Sequence, residues 1–238
     1  INVLDLHDET IANVLSVSDF DKGYLMFVTK LGIVKKLQVA DVAKPRSTGV
    51  RVMNMPADGS DVLISVMRVD DKQEVLLTTK EGKAIRFKAD DVRSMGRSSY
   101  GVKGIELNTK DEVVSLVSVP VKDAGKVSIL SITEHGYGKR SALEEYRLTG
   151  RGGKGVINIR TEDRNGDVVR SLPVTKDSSI IATTTKGMML RISVDDLREM
   201  GRATQGVRVV KLKEGDRVAD VVLVPDEEVV VSSDDKEK

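Results

Sequence analysis

The chain has no cysteine and no tryptophan among its 238 residues, only two histidines, and 3% aromatic residues. Without thiols there are no disulfides, thiolate nucleophiles or cysteine zinc sites, and a reducing, intracellular setting fits best. His7 and His135 are too few to build a histidine metal centre. So few aromatic faces leave little on which splayed bases could stack, which argues against recognition of single strands or RNA loops. No run approaches the roughly 18 apolar residues needed to span a bilayer. The first six residues have neither a basic region nor a small-residue cleavage site. A soluble chain with no membrane partner is expected, cut from a longer protein because it lacks an initial Met.

What the chain does have is charge, in near balance: 38 Lys and Arg against 37 Asp and Glu, a net +1. That balance hides a segregation. Residues 226–238 hold six acids and two lysines, so 36 cations and 31 acids remain in residues 1–225, a net +5. The expectation is one domain over 1–225 and an acidic, unfolded tail over 226–238.

Self-similarity is the strongest signal. Gly32, Gly82, Gly136 and Gly187 are each followed four positions later by a cation, Lys36, Arg86, Arg140 and Arg191. Nine positions after the glycine comes an acid, Asp41, Asp91, Glu145 and Asp196. Each unit closes on a Gly-Val pair beginning at Gly49, Gly101, Gly155 or Gly206, preceded by Arg46, Arg97, Arg151 or Arg202. A period of about 51 residues marks units that cannot bury their own apolar faces and must stack on neighbours.

Short runs rich in Val, Ile and Leu recur inside each unit and read as strands. Strand A falls at 11–17, 62–69, 113–119, 168–174 and 218–224; strand B at 24–29, 75–79, 127–133 and 180–184. A glycine turn joins B to strand C at 33–37, 83–87, 137–141 and 188–192, the signature of a hairpin. Strand D follows at 50–55, 102–107, 156–160 and 207–212, with 1–6 as an earlier copy. The chain order is D-A-B-C four times and a final D-A. Four strands per unit suit a propeller blade, so the fold expected is an all-β, propeller-like disc of about four complete blades plus partial end strands.

The loop before strand D holds arginines four apart in the last three units: Arg93 and Arg97, Arg147 and Arg151, Arg198 and Arg202. One helical turn would put each pair on a single face. Repeated around a ring, they would form a positive belt, and guanidinium forks and glycine amides suit phosphate oxygens. The competing reading makes each arginine a structural clasp on an acid of its own unit, such as Asp91 or Asp196. The most basic loop, 146–155, combines Arg147, Arg151 and Lys154 with Gly150, Gly152, Gly153 and Gly155, which leave backbone open to a phosphate. Gly150, Gly152 and Gly155 match a dinucleotide G-x-G-x-x-G pattern, but an all-β unit lacks its strand-to-helix setting. An enzyme would need a convergent set, and the only candidate, the acid column, recurs once per unit as a structural feature does.

Several runs carry a family resemblance: 136–140 (Gly-Tyr-Gly-Lys-Arg), 145–147 (Glu-Tyr-Arg), 151–155 (Arg-Gly-Gly-Lys-Gly), 162–166 (Glu-Asp-Arg-Asn-Gly), 95–97 with 101–104, and 201–208. Over nearly the whole of 1–225 the chain resembles the C-terminal domain of the A subunit of bacterial DNA gyrase. The resemblance implies a β-pinwheel, with hairpins exchanged between neighbouring blades and a basic rim that wraps double-stranded DNA largely independently of sequence. It also implies a non-catalytic domain of an ATP-dependent type II topoisomerase of A2B2 composition, cytoplasmic and nucleoid-associated, directing strand passage and negative supercoiling. No cofactor is implied here, ATP and Mg belonging to other parts of such an enzyme. The family's basic box, Gln-Arg-Arg-Gly-Gly-Lys/Arg-Gly, is echoed only in part, with Leu148-Thr149-Gly150 before Arg151. That departure implies either a missing upstream blade or the related topoisomerase IV branch; the third and fourth units favour gyrase. On this reading the DNA-binding candidates are Lys35, Lys36, Arg46, Arg51, Arg86, Arg93, Arg97, Lys103, Lys139, Arg140, Arg147, Arg151, Lys154, Arg191, Arg198, Arg202 and Arg208. A protein-interaction propeller is the rival of another class, with few apolar candidates beyond Tyr24, Phe27, Phe87 and Tyr100.

Overall fold

The computed structural model describes residues 10–45 and 49–224. The candidate strand at 1–6, Arg46 and the acidic segment 226–238 lie outside the described residues. The hairpins form where the alternation of apolar runs and glycine turns places them. β1 (Tyr24–Thr29) and β2 (Ile33–Gln38), β4 (Gln73–Thr79) and β5 (Lys83–Lys88), β8 (Ser128–Thr133) and β9 (Tyr137–Ala142), and β12 (Ser179–Thr184) and β13 (Met189–Ser193) are four antiparallel pairs. Three of the four turns share one construction, in which the Gly32 amide donates to the Thr29 carbonyl at 3.0 Å and Ile33 N–H to Thr29 Oγ1 at 3.1 Å; in the third, Gly136 N–H donates to the Thr133 carbonyl at 2.9 Å but Thr133 Oγ1 donates to the Tyr137 carbonyl at 3.2 Å. Gly32 has φ +80°, a conformation L side chains rarely adopt, which is why glycine recurs at this step.

The remaining strands are β3 (Leu63–Val69), β7 (Val113–Pro120), β11 (Val168–Val174) and β15 (Val218–Leu223), and the two-residue β6 (Val102–Lys103), β10 (Val156–Ile157) and β14 (Val207–Arg208). Their pairing shows that a blade is not one D-A-B-C unit. The sheet orders are β3-β1-β2-β6, β10-β5-β4-β7, β11-β8-β9-β14 and β13-β12-β15. Each hairpin takes its inner strand from the next unit and its outer strand from the unit after that. Among the described residues, three blades therefore have four strands and the last has three.

Two expected strands are absent. Residues 11–17 and 50–55 carry the right apolar pattern but form no strand. By the pairing rule they would need a hairpin N-terminal to β1, and none exists among the described residues. The D strands are also shorter than expected, two residues each, because the chain leaves the sheet edge after β6, β10 and β14 to fill the space between blades.

The sheets stand in a propeller-like ring, with β3, β7, β11 and β15 in successive contact toward the axis and the short D strands outermost. The core lies between blades. Met26, Val28 and Val34 of the first blade pack with Val75, Leu77, Phe87 and Ile105; Leu76 and Val117 of the second pack with Ile129, Leu143 and Tyr146. Each inner blade is thus apolar on both faces, so β4 is buried from Glu74 to Thr79 without the alternation of a half-exposed sheet. Glycine is required at the exchanged edge: a Cβ on Gly101 would sit 2.6 Å from the Val34 carbonyl oxygen. The same collision, with Ala84 and Gly138, holds for Gly155 and Gly206.

Candidate nucleic-acid interface

The structure sorts the repeated cations into two populations. Four on strand C of the first three blades do not face solvent. Lys35 is fully buried and Lys36 is 2% exposed. Lys35 Nζ donates to the carbonyls of Arg97 and Ser99, both at 2.8 Å. Lys36 Nζ donates to Asp71 at 2.7 Å and the Ala89 carbonyl at 3.2 Å, and lies 4.6 Å from the centroid of the Tyr24 ring. Arg86, 8% exposed, donates through Nε to Glu74 at 2.7 Å and through Nη1 to the carbonyls of Leu143 and Tyr146 at 2.8 and 3.0 Å. Lys139 reaches Ser141 Oγ at 2.6 Å and the Gly201 carbonyl at 3.2 Å, and burial pulls its pKa down to about 8. These four are corrected from rim contacts to internal ties: in the first three blades these strand C side chains are covered by residues of the following unit, whereas Arg191, on the fourth blade, is exposed. Arg140 is half-buried, with Nε buried and unpartnered among the described residues. Ser128 occupies the position that Glu74 holds in the second blade, so Arg140 has no matching carboxylate.

The loop arginines divide as well. Arg151 donates to the carbonyls of Asp91 and Lys103 at 3.1 and 3.0 Å; Arg202 donates equivalently to those of Glu145 and Ile157 at 3.1 and 2.8 Å. Both straddle the joint to the preceding blade. The acid of the column serves backbone too, Asp91 accepting from Lys88 N–H and Glu145 from Arg202 N–H. The clasp is therefore real for Arg151 and Arg202, but its acceptors are carbonyls of the neighbouring unit. The expected helical turn covering both arginines is absent: the short 3-10 turns Ala89–Asp91 and Leu143–Glu145 end before Arg93 and Arg147.

Arg93, Arg147 and Arg198 are exposed and make no hydrogen bond or ion pair among the described residues. They occupy the same position in three consecutive blades. On the outermost strands, Lys103 of β6 and Arg208 of β14 are also exposed. Arg208 lies 5.5 Å from the centroid of Tyr137, with Arg164 at 4.9 Å, so Arg164 joins this surface although its sequence position carries no periodic signal. Exposed Arg51, Arg97, Lys154 and Arg191 complete the candidates found at the surface. Arg147, Thr149, Gly150, Gly153 and Lys154 flank a cavity of about 160 Å³ over β5.

The glycines of this loop do different jobs. Gly150 and Gly153 are exposed, and a Cβ on Gly150 would meet nothing within 4 Å. Gly152 uses its amide on the Gly104 carbonyl at 2.6 Å, and Gly155 lies against β5. The open backbone for an anion is that of Gly150 and Gly153; Gly152 and Gly155 belong to the joint.

Antiparallel blades completed by strands from units further along the chain, with exposed cations on the outermost strands and loops, define a propeller of the pinwheel type with a basic rim. The contiguous three-strand stretch of every blade matches the family described as DNA gyrase C-terminal domain, beta-propeller, over residues 23–70, 73–120, 128–175 and 178–225. The chain belongs to that family. It is 38% identical over 234 residues to the DNA gyrase A protein of Chlamydia pneumoniae, covering 96% of this chain and 28% of that protein. With the Chlamydia muridarum gyrase A protein it shares 41% over 209 residues, 87% of this chain and 25% of the relative. The chain thus spans about a quarter of the length of these relatives. Among solved structures, a C-terminal domain of DNA topoisomerase IV superposes with TM-score 0.83 at 28% identity, over 91% of this chain and 67% of that one. A DNA gyrase A C-terminal domain gives 0.81 at 26%, over 92% and 72%.

Proposed function

We propose that this chain binds double-stranded DNA along its outer rim, without base readout, and bends the duplex around the ring. The observation that carries the reading is the recurrence of free Arg93, Arg147 and Arg198 at one position in three successive blades, beside Lys103, Lys154 and Arg208. Cations spaced along a curved wall meet phosphates of a bent duplex in succession. Bending a site of 20–30 base pairs costs on the order of 1–6 kcal/mol, which several phosphate contacts must offset. The chain acts as a non-catalytic part of a type II topoisomerase, gyrase rather than topoisomerase IV. In that setting the partners are the rest of the gyrase A protein, together with gyrase B, in an A2B2 assembly, and wrapping sets the sign of strand passage and negative supercoiling. The location is cytoplasmic, at the nucleoid. The chain uses no cofactor of its own.

The test is a salt titration of binding to two unrelated duplexes and one single strand. If about six phosphates are neutralised, log K falls with log[salt] at a slope of roughly −5, alike for both duplexes. A slope near zero, or strong preference for one duplex, rejects the reading.

A further inference from the structure

We propose that Tyr137 is a positioning residue that holds Arg164 and Arg208 as a two-pronged clamp on backbone phosphates of the duplex, an extension that rests on duplex binding along the rim. Tyr137 opens β9 and lies directly opposite Arg208 of the outer strand β14. The Arg208 guanidinium is 5.5 Å from the ring centroid, and its Nη2 donates to the phenol oxygen at 3.2 Å. The Arg164 guanidinium is 4.9 Å from the same centroid. The tyrosine is 7% exposed, whereas both arginines are exposed. The other hairpins place Ile33, Lys83 and Met188 at this position, so the third blade alone of the four sets an aromatic ring there.

An aromatic face and a carboxylate both fix a cation, with opposite consequences for an incoming anion. Two nearby arginines show the carboxylate case: Arg170 donates to Asp220 at 2.7 Å and Arg217 to Glu134 at 3.0 Å, which cancels their charge. Arg164 and Arg208 make no ion pair among the described residues, and the ring is what they touch. A ring attracts a guanidinium through its quadrupole and leaves the positive charge uncancelled. Two like charges at one ring repel each other. A phosphate relieves that repulsion while accepting from both guanidinium forks.

Arg164 reaches the ring through the run 162–166, which the sequence singles out and the rim reading leaves without a role. Asn165 is fully buried; its Nδ2 donates to the carbonyls of Arg160 at 2.8 Å and Gln205 at 3.1 Å, and its Oδ1 accepts the Glu162 amide at 2.8 Å. The Asn165 carbonyl in turn accepts the His135 amide at 3.2 Å. Gln205 leads into β14, so one buried, satisfied side chain ties the loop carrying Arg164 to the strand carrying Arg208. The flanking acids Glu162 and Asp163 line a separate cavity with Glu134 and Arg217, to which neither Arg164 nor Tyr137 contributes.

The test is the salt titration of duplex binding applied to variants of this cluster. Arg164→Ala/Arg208→Ala is expected to flatten the slope of log K against log[salt] by about 2, alike on unrelated duplexes. Tyr137→Leu removes the ring and is expected to weaken binding about threefold or more in the otherwise wild-type chain, but not when both arginines are already alanine. Tyr137→Phe keeps the ring and should retain most of the binding that Tyr137→Leu loses. Equal weakening by Tyr137→Leu in both backgrounds makes the tyrosine merely structural and overturns its positioning role. An unchanged slope in the arginine double variant, beside a wild-type slope of roughly −5, overturns the clamp and leaves rim binding standing. A wild-type slope near zero rejects rim binding itself, and the clamp with it. Should Tyr137→Leu fail to fold by circular dichroism, the arginine double variant, truncated only at exposed side chains, decides.

Discussion

Lys36 and Arg86 on one side, and Arg93, Arg147 and Arg198 on the other, recur with the same period, yet the first group is shut between blades and the second stands in solvent. The difference arises from seven residues of chain. In the first two blades the cation four positions after the turn glycine lies on strand C and is covered by the next unit; one eleven positions after it follows the 3-10 turn and has left the sheet. Periodicity alone cannot separate them, because in a ring of units the joints repeat as faithfully as the rim. Burial and partners separate them at once.

The comparison can be broken first at its buried end. Arg86→Ala leaves Glu74, 7% exposed, without its counter-charge and frees two carbonyls. Losing one member of such a pair costs about 3–5 kcal/mol, readable by urea unfolding. A loss under about 1 kcal/mol would mean that the clasp is ornamental.

Lys139 sharpens the same side through pH. Burial lowers its pKa in the fold to about 8 from 10.5, so between these values the unfolded chain binds more protons and stability rises with pH. A gain of about 1–2 kcal/mol from pH 8 to 9.5 is expected in wild type and should vanish in Lys139→Met. A slope that persists in the variant assigns it to other groups. A smaller effect belongs to Arg151→Ala: loss of its two carbonyl bonds from an exposed side chain costs about 1 kcal/mol in thermal unfolding, with little change in the salt dependence of binding.

Much of the fold was legible because local chemistry settles it. Thr29 and Gly32, with their counterparts, make each hairpin almost regardless of context, and β1, β4, β8 and β12 fall where the apolar runs place them. The exchange of strands was not legible in spacing, since Val102 could as well pair within its own unit; only the family resemblance implied it. Residues 50–55 show the limit: they have a strand's pattern but form no strand among the described residues. At the site, the loop arginines Arg93, Arg147 and Arg198 are exposed as expected, while Lys35, Lys36, Arg86 and Lys139, expected at the rim, are buried. Both faces of an inner blade are buried, so the alternation that normally separates core from surface is missing. The partners that betray the clasps, Asp71 and Glu74, lie at the entry to β4 and carry no mark of their own.

The outward group gives the decisive measurement: duplex binding against salt for Arg93→Ala/Arg147→Ala/Arg198→Ala beside wild type. Surface truncations of this kind change stability by within about 0.5 kcal/mol per site. Binding along the rim predicts a slope flatter by roughly 3, with weakening alike on unrelated duplexes. An unchanged slope in the folded triple variant would contradict it and place the DNA on another surface.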